Sequence, residues 1–236
     1  MGQNRKNFQP DKNLFCFWTD QNKMSETRNK CLQSLTNTEL NVIFLNPQGI
    51  KEWTLSDYPF HQGYKYLSST HKSDYLRAYF MHHYGGGYCD IKYIDYSWLP
   101  AFENLINSKN YIEGYPEIGI IGITRRKGLL FFLRYATQVK RLIGNGAFIC
   151  KPHTPFTELW LNNVHKILDQ SLDQLKEHPA SGPLDFYKMK MSDGSKSNYP
   201  LNHAAFSGEN FHPVCSKFHK FIGKSLKTPD FSIEYK

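Results

Sequence analysis

The sequence predicts a single α/β domain in which an open sheet is flanked by helices. Its 236 residues are enough for one domain with a substantial core. A content of 40% hydrophobic and 15% aromatic residues favours a globular protein over a disordered one. The first elements alternate strand, helix and strand at the spacing of the βαβ units that build parallel sheets.

The first third of the chain supplies this alternation. "NLFCFW" (13–18) is a short aromatic run that predicts a buried strand, and "SETRNKCLQSL" predicts a helix capped by Ser25. "ELNVIFLN" (39–46) predicts a second strand that ends at an Asn46-Pro47-Gln48-Gly49 turn. Residues 50–70 carry many aromatics without a clear period, which indicates a loop with at most a short helix.

The segment "HKSDYLRAYFMHHYGGGYCDIKYID" (71–95) predicts a helix, a glycine turn and a third strand. At about 100° per residue, one helical face would hold Leu76, Tyr79, Phe80 and His83. A second face, a polar corner, would hold Asp74, Arg77 and Met81. Gly85–Gly87 would end the helix and allow a sharp turn into the strand "YCDIKYI" (88–94).

In the second half of the chain, only some segments predict a definite helix or strand. "EIGIIGIT" (117–124) predicts a strand, and residues 128–150 are apolar material of helix or strand type around a Gly144-Asn145-Gly146 turn. The clearest helix of the chain begins at the Thr154 cap and ends before Pro179. The remainder is expected to form strands and loops that close over the sheet.

The charge balance of 29 Lys and Arg against 21 Asp and Glu leaves a formal +8. Such a surface attracts polyanions, nucleotides or an anionic membrane face, and it does not choose among them. The densest basic groups, Arg125-Arg126-Lys127 and Lys188/Lys190, are short. A nucleic-acid interface is usually denser, so we expect no nucleic-acid partner.

Cysteine usage and the first residues favour a cytoplasmic protein. Five cysteines without a CxxC pair argue against a zinc site and against a disulfide framework. The first residues are too polar for a signal peptide, and Lys6 stands where a myristoylation signal needs Ser or Thr. No apolar run reaches the ~20 residues that span a bilayer. We therefore expect at most peripheral contact with an anionic membrane.

Four charged residues are candidates for chemistry. Asp74 and Arg77, three residues apart on a helix, form a simple ion pair in one interpretation. Asp90 and Lys92 would lie on one face of the third strand, ~6–7 Å apart by the strand rise. The four groups would then meet at the carboxyl end of a strand, where open α/β sheets bind ligands.

The stretch "SDYLRAYFMHHYGGGYCDI" resembles the signature of glycosyltransferases with a DXD sugar-binding motif, the family 32 group. That pattern runs Ser-Asp, Arg, an apolar helix, Gly-Gly, Tyr and Asp-x-Asp. The chain is most similar to the branch of capsular polysaccharide synthesis proteins. "NGAFICKPHTPF", "HPASGPLDFY" and "FSGENFHPV" resemble that branch in the same order, so the resemblance covers most of residues 13–215.

The resemblance implies a GT-A-like, Rossmann-type open mixed sheet flanked by helices, in a single domain over residues 1–236. Residues 1–12 would be a flexible extension, 13–100 the nucleotide-sugar half, and 101–236 the acceptor side and closing elements. The implied reaction moves a hexose-like sugar from a nucleotide-sugar donor to a glycan, polysaccharide or lipid-linked acceptor. Retention of configuration is also implied, although the sequence assigns no nucleophile.

The same resemblance implies roles for individual residues. A diphosphate leaving group gains negative charge, which a divalent metal such as Mn²⁺ or Mg²⁺ usually stabilises. Asp90 would hold ribose and metal, while Asp74 and Arg77 would contact the donor sugar. Trp18 would stack on the nucleotide base, with a core position as the alternative. His212 would bind metal or phosphate, with a packed loop histidine as the alternative.

Position 92 departs from the pattern, because Lys92 replaces the last metal-binding aspartate and an ammonium cannot bind a hard cation. In a first hypothesis Lys92 faces the diphosphate itself, so that Asp90 and Lys92 are the catalytic and nucleotide-binding pair. In a second, Asp90 binds the metal with help from Asp95 or His212. A third alternative is a catalytically inactive, glycosyltransferase-like binding protein whose Lys92 points to solvent.

Overall fold

The computed structural model describes residues 10–118 and 128–230. Six strands lie within these ranges: β1 (Asn13–Phe17), β2 (Asn41–Leu45), β3 (Gly86–Cys89), β4 (Ile112–Pro116), β5 (Ile143–Cys150) and β6 (Ile222–Gly223). The same ranges hold seven α-helices: α1 (Glu26–Ser34), α2 (Pro47–Glu52), α3 (Ser69–His83), α4 (Leu99–Asn107), α5 (Leu129–Ala136), α6 (Pro155–Glu177) and α7 (Phe211–Lys217). Short 3₁₀ turns join several of these elements.

The strands form one mixed, open sheet in the order β2-β1-β3-β5-β4-β6. β1 is parallel to both β2 and β3, whereas β5 runs antiparallel to its neighbours β3 and β4. The fold is therefore α/β, as predicted. Because β2 lies on one side of β1 and β3 on the other, the strand order reverses between β1 and β3. Such a reversal is where open α/β sheets bind ligands.

Helices cover both faces of the sheet, and the alternation of side chains along β1 shows the two cores. Phe15 and Phe17 belong to the core that α3 and α6 cover. Leu14 and Cys16 face the opposite core, which α1 and α4 complete. A strand that is buried on both faces appears as a continuous apolar run, which explains "NLFCF".

The three glycines 85–87 connect α3 to β3, and the backbone geometry requires two of them. Gly85 and Gly86 have φ of +67° and +79°, a region that other residues rarely adopt. A Cβ on Gly86 would lie 2.6 Å from the carbonyl oxygen of Asn13. The glycines therefore let β3 lie close against β1.

The predicted third strand was wrong at both ends. β3 begins two residues before Tyr88 and ends at Cys89, so Asp90 and Lys92 lie beyond it rather than on one strand face. The spacing of ~6–7 Å therefore does not apply. The backbone N–H of Asp90 donates to the Gly146 carbonyl (2.7 Å). Beyond this hydrogen bond the chain leaves the sheet.

Several predicted elements are confirmed. β1, α1 and β2 occupy the predicted segments, and the Ser25 side chain accepts from the backbone N–H of Arg28, as an N-cap does. The long helix α6 is capped by Thr154 and ends before Pro179. α3 begins five residues before Asp74, with Ser68 as its cap, and thus shortens the predicted loop over 50–70.

Two predicted turns were wrong. Asn46 does not open a turn but caps α2, because its side chain accepts from the Gly49 N–H (3.0 Å). Gly144–Gly146 lie inside β5, where the Tyr115 ring occupies the space above Gly144. The predicted strand 117–124 falls mostly outside the described residues, and residues 117 and 118 are not in a strand.

No helix in ranges 10–118 and 128–230 has both the length and the apolar character needed to cross a membrane.

Candidate functional site

A cavity of about 390 Å³ opens at the carboxyl ends of β1 and β3, where the strand order reverses. Its volume is within the range of ~300–1,000 Å³ that is typical of small-molecule sites. The residues that follow the two strands form its floor. Its walls include Trp18, Asp20, Arg28, Ser73, Arg77, Tyr88, Asp90, Lys92 and Leu184.

Arg77 is the most constrained side chain of the cavity. Its guanidinium donates to Asp74 (Nη2 to Oδ1, 2.8 Å) and to the carbonyl of Asn145 (Nη1, 2.8 Å). It also lies 3.4 Å from Asp90 Oδ1 and 4.8 Å from the centre of the Tyr88 ring. Arg77 thereby ties α3 to β3 and to β5 at the cavity wall.

Burial alone lowers the pKa of Arg77, but the neighbouring Tyr88, Asp74 and Asp90 raise it above its ordinary value. The side chain therefore stays protonated over the whole working range of pH. Among the residues that the structure describes, its buried Nε atom has no hydrogen-bond partner. One wall of the cavity thus holds a fixed positive charge.

Asp74 does not line the cavity. Only 4% of its side chain is exposed, and Arg77 separates it from the cavity. The ion-pair interpretation of this pair is therefore correct, and it coexists with a cavity position for Arg77. The predicted contact of Asp74 with a donor sugar would act through Arg77, because the carboxylate itself lies beneath the guanidinium.

Asp90 is held by two neighbours at the cavity floor. The Tyr88 hydroxyl donates to its Oδ1 (2.6 Å), and that hydroxyl also lies 3.4 Å from Ser73 Oγ. With Arg77 on the same oxygen, the carboxylate is fixed in orientation, and 29% of the side chain remains exposed. Its other oxygen, Oδ2, lies close to Gly146 of β5, 3.0 Å from where a Cβ on that glycine would be.

Lys92 lines the same cavity, half-buried, and does not point to bulk solvent. Burial lowers the pKa of Lys92, the nearby Arg28 lowers it further, and Asp90 opposes both effects. The lowered pKa of Lys92 therefore comes mainly from burial of the ammonium, since Asp90 outweighs Arg28. Negative charge on a ligand would relieve that cost.

Arg28 is a cation of the site that sequence reasoning missed, and Tyr88, which holds Asp90, was missed as well. Arg28 lies in the first turn of α1, and its Nη1 donates to the Ile91 carbonyl (3.4 Å) beside Lys92. A weak signal was present, because α1 directly follows β1 and must begin at the edge where β1 ends. The sequence could not show that the same edge also holds Lys92.

The charges of the cavity favour an anionic ligand. Three cations (Arg28, Arg77 and Lys92) and two carboxylates (Asp20 and Asp90) line it. The lining cations outnumber the lining carboxylates by one, and the buried Asp74 balances that charge from behind Arg77. Clefts of this kind concentrate anions such as phosphate groups.

Trp18 lies between the two predicted places, the core and the cavity, and its stacking on a base stays a prediction. Its ring packs partly against the core that α1 and α4 complete, and it also lines the cavity at the end of β1. Its Nε1 donates to the Asn22 carbonyl (2.8 Å), which fixes the indole. A flat aromatic surface is therefore presented beside the cationic groups.

His212 is not brought to the cavity. It is buried, and its Nε2 lies 2.8 Å from Glu117 Oε2 in an equally buried pair. Asp95 is exposed and does not line the cavity either. Over residues 10–118 and 128–230, no three His, Cys, Asp or Glu side chains are grouped as a metal site requires. The predicted metal partners of Asp90 are therefore not assembled.

No model of a known protein family matches this chain, and no curated protein matches it.

Proposed function

We propose that the protein is a glycosyltransferase that takes its donor sugar from a nucleotide-sugar, on a GT-A-like fold. One observation carries the proposal. A cavity at the strand-order reversal brings together an aromatic platform, a fixed arginine and a carboxylate with two further cations. The resemblance of residues 73–91 to the DXD signature independently supports the same chemistry.

The cavity groups correspond to the parts of such a donor. Lys92 and Arg28 would bind the diphosphate as charge-assisted donors, and Trp18 would stack on the base. Asp90 would accept from ribose hydroxyls, because a carboxylate is a strong acceptor. Arg77 would donate to the sugar, positioned by the buried Asp74 beneath it.

The reaction breaks the bond between the anomeric carbon and the diphosphate oxygen and forms a bond to an acceptor hydroxyl oxygen. Negative charge grows on the leaving diphosphate, and Lys92 and Arg28 would stabilise it there. With retention of configuration, the leaving phosphate itself can accept the proton of the acceptor hydroxyl. This step needs no separate base, in keeping with a cavity whose Asp90 is already bound by Tyr88 and Arg77.

The donor set does not fit Mn²⁺ or Mg²⁺. These ions take oxygen ligands, yet Asp90 Oδ1 is engaged by Tyr88 and Arg77, and an ammonium stands at position 92. Both oxygens of Asp20, the other carboxylate, accept from Gln21 and Asn22. We therefore propose that Lys92 and Arg28 supply the positive charge that a metal supplies in relatives with an intact motif.

A second candidate is a non-catalytic protein that binds nucleotide-sugars or glycans. The observation that favours it is Lys92 itself, which stands where the resemblance places a metal-binding carboxylate. This candidate predicts binding without release of nucleoside diphosphate. The acceptor, in either case a glycan, polysaccharide or lipid-linked sugar, would approach the open side of the cavity.

The test is a panel of nucleotide-sugars, measured by thermal shift and then by calorimetry with and without a chelator. A donor at 100 times its dissociation constant should stabilise the fold by about 2.7 kcal/mol. Lys92→Ala should weaken all diphosphate ligands alike, whereas Lys65→Ala, an exposed lysine outside the cavity, should not. Binding that disappears in chelator contradicts the metal-free proposal.

Turnover separates the two candidates. Release of nucleoside diphosphate in the presence of a glycan or lipid-linked acceptor, lost in Lys92→Ala, supports the enzyme. Binding without turnover for every acceptor supports the binding protein. No binding of any nucleotide-sugar or glycan by the wild-type chain overturns both.

A further inference from the structure

The helix α5 has apolar side chains on both of its sides. Phe131 and Phe132 pack against the core beneath the helix, and Tyr135 is buried. On the outer side, Leu129, Leu130 and Leu133 have exposed fractions of 69%, 85% and 48%. A single exposed leucine is ordinary, but three on adjacent turns of one helix form a continuous apolar patch.

The three leucines share one side because of helical spacing. At about 100° per residue, positions 129, 130 and 133 fall within one third of the helix circumference. Arg134 follows on the same exposed side. The sequence "LLFFLRYA" therefore leaves a hydrophobic strip in contact with solvent rather than in a core.

The chain around α5 is basic and free of acids. From residue 118 to residue 157 the sequence has no Asp or Glu, yet it carries seven cations: Arg125, Arg126, Lys127, Arg134, Lys140, Arg141 and Lys151. The formal charge of the whole chain is +8. Among the described residues of this stretch, Arg134, Lys140 and Arg141 are exposed. In sequence, the leucines are therefore flanked by positive charges and not by carboxylates.

A second acid-free stretch meets the first in space. Residues 210–229 contain Lys217, Lys220, Lys224 and Lys227 and no Asp or Glu. Lys224 Nζ donates to the Lys140 carbonyl (2.5 Å), and Ser216 in α7 donates to Gln138. These two contacts place Lys224 beside Lys140 and α7 beside the turn that follows α5.

We propose that this surface, the α5 face (Leu129, Leu130, Leu133, Arg134, Lys140 and Arg141), docks on an anionic lipid bilayer. Leucines that enter the headgroup boundary and cations that contact anionic headgroups are the two attractions that bind interfacial helices. Charge complementarity selects this occupant, since the exposed cations Arg134, Lys140 and Arg141 follow the leucines in the chain. The nearest carboxylate in sequence, Glu117, is buried against His212. The inference concerns a surface outside the cavity and does not depend on the proposed reaction.

The experiment is co-sedimentation of the full chain with vesicles of phosphatidylcholine alone or with about one third phosphatidylglycerol. We expect binding to the anionic vesicles only, weakened by salt because charged headgroups are screened. The triple variant Leu129→Ser, Leu130→Ser, Leu133→Ser should bind at least tenfold more weakly. These side chains are exposed, so the fold should persist, which circular dichroism and melting verify.

Matched controls distinguish the α5 face from general stickiness. Tyr58→Ser removes a large side chain that is 58% exposed outside the cavity and should leave vesicle binding unchanged. Lys140→Glu with Arg141→Glu should abolish the preference for anionic vesicles, whereas Lys51→Glu with Lys65→Glu, equal in charge change, should reduce it far less.

Three results would overturn the proposal. They are equal binding by wild type and the triple leucine variant, absence of binding to anionic vesicles, and a wild-type dimer by light scattering that the leucine variant converts to monomer. The last result would assign the α5 face to a second copy of the chain.

Discussion

The ion pair between Asp74 and Arg77 has the same sequence spacing as many surface pairs, but its side chains are only 4% and 10% exposed. Burial changes how much the pair contributes to stability. Exposed pairs contribute little to stability, whereas removing one partner of a buried pair leaves a charge without compensation. Arg77 would keep Asp90 and the Asn145 carbonyl, so its positive charge would not be left entirely alone.

We therefore predict that Asp74→Ala lowers the free energy of unfolding by about 3 kcal/mol, measured by urea denaturation. Glu26→Ala is the matched control, because it breaks the helical pair with Lys30, whose side chains are 70% or more exposed. That variant should cost far less stability than Asp74→Ala, because the exposed pair is screened by solvent. Equal losses of unfolding free energy in the two variants would show that burial does not increase the contribution of the Asp74 pair to stability.

Lys92 allows a prediction of pH dependence. Burial and Arg28 lower its pKa below the ordinary value of 10.5. The ammonium binds a diphosphate and the neutral amine does not, so affinity should fall as pH rises through this lowered pKa. The loss should therefore begin at a lower pH than an ordinary lysine would allow.

Calorimetry of a nucleoside diphosphate between pH 7 and pH 10 measures this effect. Lys92→Arg keeps its charge across that range and should hold its affinity where the wild type loses it. In the wild type, binding near the lowered pKa should also take up protons, which appears as a dependence of the heat on the buffer. A wild-type affinity as constant as that of Lys92→Arg would contradict the role of Lys92.

At the scale of elements, the glycine turn before β3 is the most constrained connection near the cavity. Gly86 combines a φ of +79° with a Cβ position 2.6 Å from the backbone oxygen of Asn13. Gly87 has no such φ, and its nearest obstacle is a terminal methyl of Leu14 at 2.9 Å. A side-chain methyl can move, but a strand backbone cannot move without disturbing the sheet.

Gly86→Ala should therefore destabilise the protein by about 1–3 kcal/mol and weaken nucleotide binding, because β3 places Asp90 at the cavity floor. Gly87→Ala is the control and should cost distinctly less. Urea denaturation and calorimetry measure the two quantities. If the two variants are equally stable, the glycines are not needed for the close approach of β3 to β1.

The elements that sequence could predict are those fixed by local chemistry. α6 has a Thr154 cap, a proline at its first position and a regular apolar period, so its limits follow from the sequence. Gly144–Gly146 looked like a turn because glycines and asparagine favour turns locally. Their place in β5 depends on Tyr115, whose ring needs the space above Gly144, and on the backbone bond to Asp90. Such tertiary contacts leave no local signal.

The residues of the candidate site also fall into those that the sequence could predict and those that it could not. Arg77, Asp90 and Lys92 lie in one motif, so their proximity could be predicted, and Trp18 could be added from the end of β1. Arg28 could not be added, because its position depends on how α1 packs beside the chain after β3. His212 was expected at the cavity from resemblance alone, and its buried partner Glu117 holds it elsewhere.

At the scale of the whole molecule, the sheet order decides where a ligand can bind. The cavity at the reversal between β1 and β3 is lined by segments 17–20, 69–77 and 88–92, together with Arg28 and residues 183–184. The charge distribution is the second property of this scale. The basic groups looked scattered when they were considered as runs, because the stretch from 118 to 157 is distinguished by missing acids rather than by dense cations.

The antiparallel direction of β5 relative to β3 connects the cavity with the basic stretch around α5. Since Cys89 pairs with Ala147 and Gly86 with Cys150, the first residues of β5 lie at the edge where β3 ends. The chain from α5 thus enters the sheet on the cavity side, six residues after the helix. A protein held on lipid through α5 would search for lipid-linked acceptors by diffusion in two dimensions. Its encounter rate would then follow the acceptor's density per unit area of membrane rather than its bulk concentration.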